Sequence, residues 1–301
     1  VEEALEEQIR FEELLAHLSA SFINLPADRV DEGIQDALEK VGRFLGLQRA
    51  SFGELEPDLD RIVVTRSWMP EAIPGFHDSY PAQDHPILLA PFRDGEAVAW
   101  SAVGAETPHL SPGDLRLFQE TGMKAFAEVP VTVGREVKAV LAFSSTSDPR
   151  LFSPELMDRL ELLARTFGSA IARKEAEEGR IRSDLIVQSA ADAVITTDLE
   201  GRILSWNKGA EEIYGFEAGE VLGEYVGRMY REEDLPILEG ILRQLSRGET
   251  ISALEMTFVG RDGREVYALL SLTPLLDPGG EPIELLGITK DITALKTADA
   301  G

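Results

Sequence analysis

The sequence of 301 residues contains no cysteine. Disulfides, thiolate metal sites, cysteine nucleophiles and thioether-linked chromophores are therefore excluded, because each needs a sulfur atom. Nothing opposes a reducing compartment. Histidine is also scarce, with His17, His77, His85 and His109 all in the first half. Basic residues are few, at 29 Lys and Arg against 54 Asp and Glu, and the acid excess falls on both halves for a formal net charge of −25. Nucleic-acid binding requires clustered cations that replace phosphate counterions, whereas this field repels phosphate, so no nucleic acid is expected as a partner. No run approaches the roughly 18 apolar residues of a membrane-spanning helix, and the first residues, VEEALEEQIR, are acidic where a signal peptide is basic. A cytoplasmic protein without a membrane partner is expected.

What is present is the composition of a folded protein, 44% hydrophobic and 28% charged. Its length calls for two cores rather than one. Leu5, Ile9, Leu15, Leu18 and Phe22 mark an amphipathic first helix, and Ile34, Leu38, Val41 and Leu45 a second that stops at Gly46. Strands are predicted over 49–56 and 61–68, flanking a Pro57-Asp58-Leu59-Asp60 turn. The stretch from Pro70 to Pro91, rich in proline and without a sustained period, reads as a long loop over a sheet. Ser111-Pro112-Gly113-Asp114 opens a short helix, and strands over 126–133 and 136–145 flank Gly134-Arg135. Ser153-Pro154-Glu155 caps a helix running to about Ser189, with a bend or frayed turn expected at Gly179. Its Leu156, Leu160, Leu163 and Phe167 repeat at coiled-coil spacing, and these four are the expected interface of a parallel homodimer. The last third reads as two strands, helices and three strands.

In that last third, AVITTDLEGRILSWNKGAEEIYGFEAGEVLG and GRDGREVYALLSLTPLLDPGGEPIELLGITKDIT closely resemble the opening and close of a PAS domain. Upstream, LSASFINLP, VGRFLGLQRASFGELE, VPVTVGREVKAVLAFSS and FSPELMDRLELLARTFGSAIARK resemble a GAF domain of the type that precedes PAS domains in bacterial sensor proteins. The resemblance implies an α+β architecture, with a six-stranded or similar sheet first and a five-stranded antiparallel sheet second. It divides the chain into a GAF-like domain with an N-terminal dimerisation helix over 1–175, a shared linker helix over 153–189, a PAS-like domain over 183–293 and the start of an output helix over 294–301. Trp206, Tyr214, Tyr230 and Met256 are the candidate lining of a PAS pocket. Asp291 and Thr293, in the DIT ending, are the candidate transmission residues, with Thr293 read as the N-cap of the next helix.

Enzymatic chemistry finds little support. His17 is followed by Leu18-Ser19-Ala20 instead of a phosphoacceptor motif, and no glycine boxes for ATP are present. His77 and His85 lack a placed third ligand for metal or haem. Glu224-Tyr225-Val226-Gly227-Arg228 stands where a light-sensing flavin PAS domain carries its cysteine, and the cofactor question stays open. Gly279-Gly280-Glu281-Pro282 reads as a turn. Glu211-Glu212 and Glu232-Glu233-Asp234 read as solvated charge. The expectation is a non-enzymatic input module, with neither catalytic nor metal residues, that senses a small ligand or partner and drives an effector in the same polypeptide, a histidine kinase first among the candidates. The alternative is a structural dimerisation and spacer module without a ligand.

Overall fold

Helix α1 (Glu2–Ile23) buries Phe11, Leu15, Leu18 and Phe22 along one face, and α2 (Val30–Phe44) does the same with Val30, Ile34, Leu38 and Val41. Steps of three and four residues keep each set on a single stripe. The computed structural model describes residues 2–56, 61–71, 76–81, 83–101, 110–149 and 152–299, so the Pro57–Asp60 turn and His109 lie outside the described residues. Two compact units are present, Val1–Glu178 and Gly179–Gly301.

The first unit is built on an antiparallel sheet of β1 (Arg49–Glu56), β2 (Arg61–Trp68), β3 (Ser79–Pro81), β4 (Val98–Ser101), β5 (Ala125–Val133) and β6 (Glu136–Ser145). Their order is β3-β2-β1-β6-β5-β4. Alternate residues of a strand face opposite sides. Ala125, Ala127, Val129 and Val131 of β5 accordingly join the core under the long helices, while Phe126 belongs to the core on the other face. Helix α3 (Pro86–Asp94) and helix α4 (Pro112–Thr121) supply that second core. The start of α4 is the predicted one: Ser111 Oγ accepts from Asp114 N–H, and Asp114 Oδ2 accepts from Ser111 N–H, both at 3.0 Å. A Cβ on Gly113 would run into the Asp84 carbonyl, so only glycine lets α4 approach this closely.

The Pro70–Pro91 stretch departs from the predicted loop, for it contains β3 and most of α3. Pro86 stands at the first position of α3, where its missing N–H costs nothing, and buried Ile87 and Leu88 hold a helix too short to show a period.

Helix α5 (Pro154–Gln188) is helical throughout, Gly179 included, so no frayed turn interrupts it there. Its coiled-coil spacing is used differently from the prediction. Leu156, Leu160, Leu163 and Phe167 are buried in the core of the first unit, with Leu160 and Phe167 at 0% exposure in the single chain. A side chain with no free surface has none to give to a second chain, and the same spacing serves a helix packed on a sheet. The exposed apolar residues of α5 are Leu162, Ile181, Leu185, Ile186 and Val187.

In the second unit β7 (Ala193–Thr197), β8 (Ile203–Trp206), β9 (Ile251–Val259), β10 (Glu265–Leu276) and β11 (Pro282–Asp291) form an antiparallel sheet in the order β8-β7-β11-β10-β9. Helices α6 (Lys208–Tyr214), α7 (Ala218–Val221) and α8 (Leu235–Leu245) connect β8 to β9, and α9 (Thr293–Asp299) follows β11. The turn joining β10 to β11 is closed by Asp277, whose Oδ1 accepts from the N–H groups of Gly279 and Glu281 at 2.8 and 3.0 Å. Both sheets with their helices make an α+β protein.

Candidate functional sites

Between the sheet of the second unit and helix α8 lies a partly open cavity with about 50 Å³ of space for water-sized atoms. A single water needs roughly 10–15 Å³ on this measure, so the space suits a few atoms rather than a flavin. Leu238, Ile241 and Leu245 of α8 and Leu270 and Leu285 of the sheet make most of its wall apolar. Tyr214 and Tyr230 both line it. The Tyr214 hydroxyl donates to Thr289 Oγ1 at 3.1 Å, and both tyrosine rings stand edge-on to Phe258. Burial pushes both phenols above their ordinary range. Trp206 is brought to the cluster but not to the cavity wall: its ring lies 5.5 Å from that of Tyr214, and its Nε1–H donates to the Phe216 carbonyl. Met256 is not brought there. It sits at the margin of the core and lines a separate surface groove with Arg231, Glu255 and Lys296.

The first unit holds a smaller cavity, about 40 Å³ on the same measure, between its sheet and α3 and α4. Sequence reading missed it, although one signal was visible: Glu128 interrupts the apolar run of β5. Glu128 and Arg49 both line this cavity and both are buried. Burial drives the Glu128 carboxyl well above the usual carboxylate range, and the nearby Asp114 charge pushes the same way. Arg49 donates from Nη1 to the Tyr80 hydroxyl at 2.9 Å and from Nη2 to the His77 carbonyl at 3.1 Å. His77 and His85 flank the Tyr80 ring, and His85 Nδ1 lies 3.5 Å from Asp114 Oδ1. Among the described residues, no group of three or more histidine, aspartate or glutamate side chains is placed to hold a metal ion.

The two ends of the second unit are tied by polar side chains. Asn207, which sequence reading also passed over, is 1% exposed and makes hydrogen bonds in four directions. Its Oδ1 accepts from Val194 and Ala210 N–H at 2.8 and 2.9 Å; its Nδ2 donates to the carbonyls of Val187 and Asp192 at 2.9 and 3.0 Å. The last turn of α5, the start of β7 and the start of α6 thus meet on one amide. An asparagine just before a helix is an N-cap signal, which is how it was legible. At the other end, the capping differs from the prediction. Asp291 Oδ1 accepts from Thr293 N–H at 2.8 Å, while Thr293 Oγ1 accepts from Tyr267 N–H of β10 at 3.0 Å. Asp291 does the capping, and Thr293, already the first residue of α9, ties that helix to the sheet.

Two antiparallel sheets, each with its helices and a small cavity, make the two units of an α+β protein. The GAF domain family matches residues 27–172 and the PAS fold family matches residues 182–292. The chain is a GAF domain followed by a PAS domain. It is 33% identical over 119 residues to the signal transduction histidine-protein kinase AtoS of Escherichia coli strain K12, a match covering 40% of this chain and 19% of that protein. It is 32% identical over 139 residues to the C4-dicarboxylate transport sensor protein DctS of Rhodobacter capsulatus, covering 43% of this chain and 21% of that protein. The matches span about a fifth of the length of these curated relatives. Among solved structures, the PAS domain of a Colwellia psychrerythraea protein is 25% identical with a TM-score of 0.35, covering 40% of this chain and 98% of that one. No described helix is long and apolar enough to cross a membrane.

Proposed function

We propose that the chain is the sensory input module of a cytoplasmic signal-transduction protein, taking up a small ligand and relaying its presence through α9 to a histidine-kinase effector in the same polypeptide. The observation that carries this reading is the pair of polar ties on the PAS unit. Helix α5 is held at Val187 by Asn207, and helix α9 is held at Thr293 by Tyr267, so both helices are fastened to the same sheet. A ligand that shifts that sheet acts on both ties, and each is worth about 1 kcal/mol, which is large against a switch whose states differ by a few kcal/mol. The kinase effector is supported by the two relatives, both sensors and one a histidine kinase by name. A parallel homodimer completes the reading. Its interface is moved from the buried seam to Ile181, Leu185 and Ile186, each at least 46% exposed on the last turns of α5.

The test joins the chain in frame, through α9, to a histidine-kinase core and measures autophosphorylation. Asp291→Ala and Thr293→Ala are expected to leave the PAS unit folded and to change kinase output. Output equal to the parent in both variants rejects transmission through this junction. The small size of both cavities favours one alternative, a structural spacer whose pockets are filled by its own side chains. Native mass spectrometry of the purified chain separates the two, since a retained small molecule excludes the spacer.

A further inference from the structure

The cavity of the GAF unit has a charge pattern that names the class of its ligand, and this inference rests on the sensory reading above. Ala142 of β6 pairs with Ser51 of β1 on one side and with Glu128 of β5 on the other, while Arg49 pairs with Ser144 one row along. Arg49 and Glu128 are therefore two strands apart and offset by two residues, about 10 Å across and 7 Å along the sheet at ordinary strand spacings. Between them lie Ser51, Ala142 and Ser144, whose short side chains leave the hollow.

The groups at its two ends are incomplete. Arg49 is 4% exposed, its Nε has no hydrogen-bond partner, and no carboxylate lies within ion-pair distance of it among the described residues. Its guanidinium rests instead on the Phe76 ring, 4.8 Å from the centroid. Glu128 is 2% exposed and its Oε2 is likewise unpartnered. Buried charged and polar groups are ordinarily paired, so a guanidinium without an anion and a carboxyl with an unpartnered oxygen, on residues lining one cavity, point to a missing occupant.

Charge balance selects among occupants. Burial favours the protonated form of Glu128 while the cavity is empty, and an ammonium docked on it would stabilise the carboxylate; a simple carboxylate would pair with Arg49 and leave the Glu128 end without that cation, and a simple amine would do the reverse. A zwitterion satisfies both and brings no net charge into a buried space. It is also not turned away by the −25 charge of the chain, as an anion would be.

We propose that the GAF cavity binds a small zwitterion of the α-amino acid class, with its carboxylate on Arg49 and its ammonium on Glu128. The small volume restricts it to a short side chain.

Isothermal titration of the whole chain tests this with glycine, L-alanine and L-serine as probes, and with acetate, N-acetylglycine and glycinamide as controls that lack one charge. At least one amino acid is expected to bind at one per chain, and every control about ten-fold or more weaker. Glu128→Gln, neutral and of the same shape, is expected to fold and to lose about ten-fold in affinity, as is Arg49→Gln. Should Arg49→Gln not fold, the comparison of glycine with glycinamide still tests the guanidinium end. No binding by any of the three amino acids overturns the proposal, as does a control that binds as tightly, or an unchanged affinity in Glu128→Gln. A negative titration leaves the sensory reading standing, because that reading is judged by kinase output.

Discussion

The Thr293 hydroxyl accepts the backbone N–H of Tyr267 at 3.0 Å, fastening the first residue of α9 sideways to the neighbouring strand β10. Ile292 N–H donates to the Tyr267 carbonyl at 2.8 Å, so both backbone groups of Tyr267 are engaged by the residues that begin α9. Thr293→Val keeps the shape and removes the acceptor. It is expected to cost about 1 kcal/mol and to speed hydrogen exchange at the Tyr267 amide, with the rest of β10 protected as before. An unchanged exchange rate at Tyr267 would show that this contact does not hold α9.

The second prediction separates the buried and exposed apolar residues of α5. Leu160→Ala is expected to destabilise the GAF unit by about 2–5 kcal/mol, because it empties a fully buried site. Leu185→Glu, at a position 64% exposed, is expected to leave unfolding unchanged and to shift the chain towards monomer. Urea denaturation and light scattering measure the two effects. A Leu160→Ala protein that is monomeric yet fully stable would restore the seam to the dimer interface.

The third concerns pH. Burial, reinforced by Asp114, raises Glu128 well above its ordinary value in the folded state. A carboxyl with a raised folded pKa is most compatible with folding below its unfolded pKa, and the stability is lost as pH rises through the folded value. Arg49 is the basic side chain that lines the same cavity, and His85 stands 3.5 Å from Asp114; neither is within ion-pair distance of Glu128 among the described residues. The GAF unit is therefore expected to melt at lower temperature as pH rises above the carboxylate range. Glu128→Gln should flatten that slope. Parallel slopes for the parent and the variant would place the titrating group elsewhere.

The fourth reads the PAS cavity through its phenols. Of the five tyrosines, Tyr214 and Tyr230 are raised chiefly by burial. In a spectrophotometric alkaline titration at least two tyrosines should stay protonated until the PAS unit unfolds, and Tyr214→Phe should remove one from that late step. A variant that removes one from the early step instead would show Tyr214 open to solvent.

Much of the fold was legible because periodicity and capping residues were local. The bounds of α2, the Ser111 cap of α4 and the Gly134-Arg135 turn between β5 and β6 needed only neighbours in sequence. What a repeat packs against is not local. Leu156, Leu160, Leu163 and Phe167 have the spacing of a helix facing another helix, and only the tertiary structure shows the sheet opposite them. The tyrosines of the PAS cavity were readable as aromatic residues in a recognised segment, whereas Met256 failed because its place on β9 turns it towards a surface groove. Arg49 and Glu128, 79 residues apart in sequence, meet only through the β1-β6-β5 order of the sheet.

Asn207 gives the junction after α5 a definite mechanical character. Successive residues of a helix point about 100° apart, so turning α5 by one residue would carry the Val187 carbonyl away from the Asn207 amide. Slight torsion stretches a hydrogen bond of ordinary length, and larger torsion breaks it and leaves a buried donor unpaired. Torsion at this end of α5 is therefore opposed by a specific hydrogen bond and not by bulk packing alone, and Asn207→Asp, which turns both donations into repulsions between oxygens, would remove that opposition.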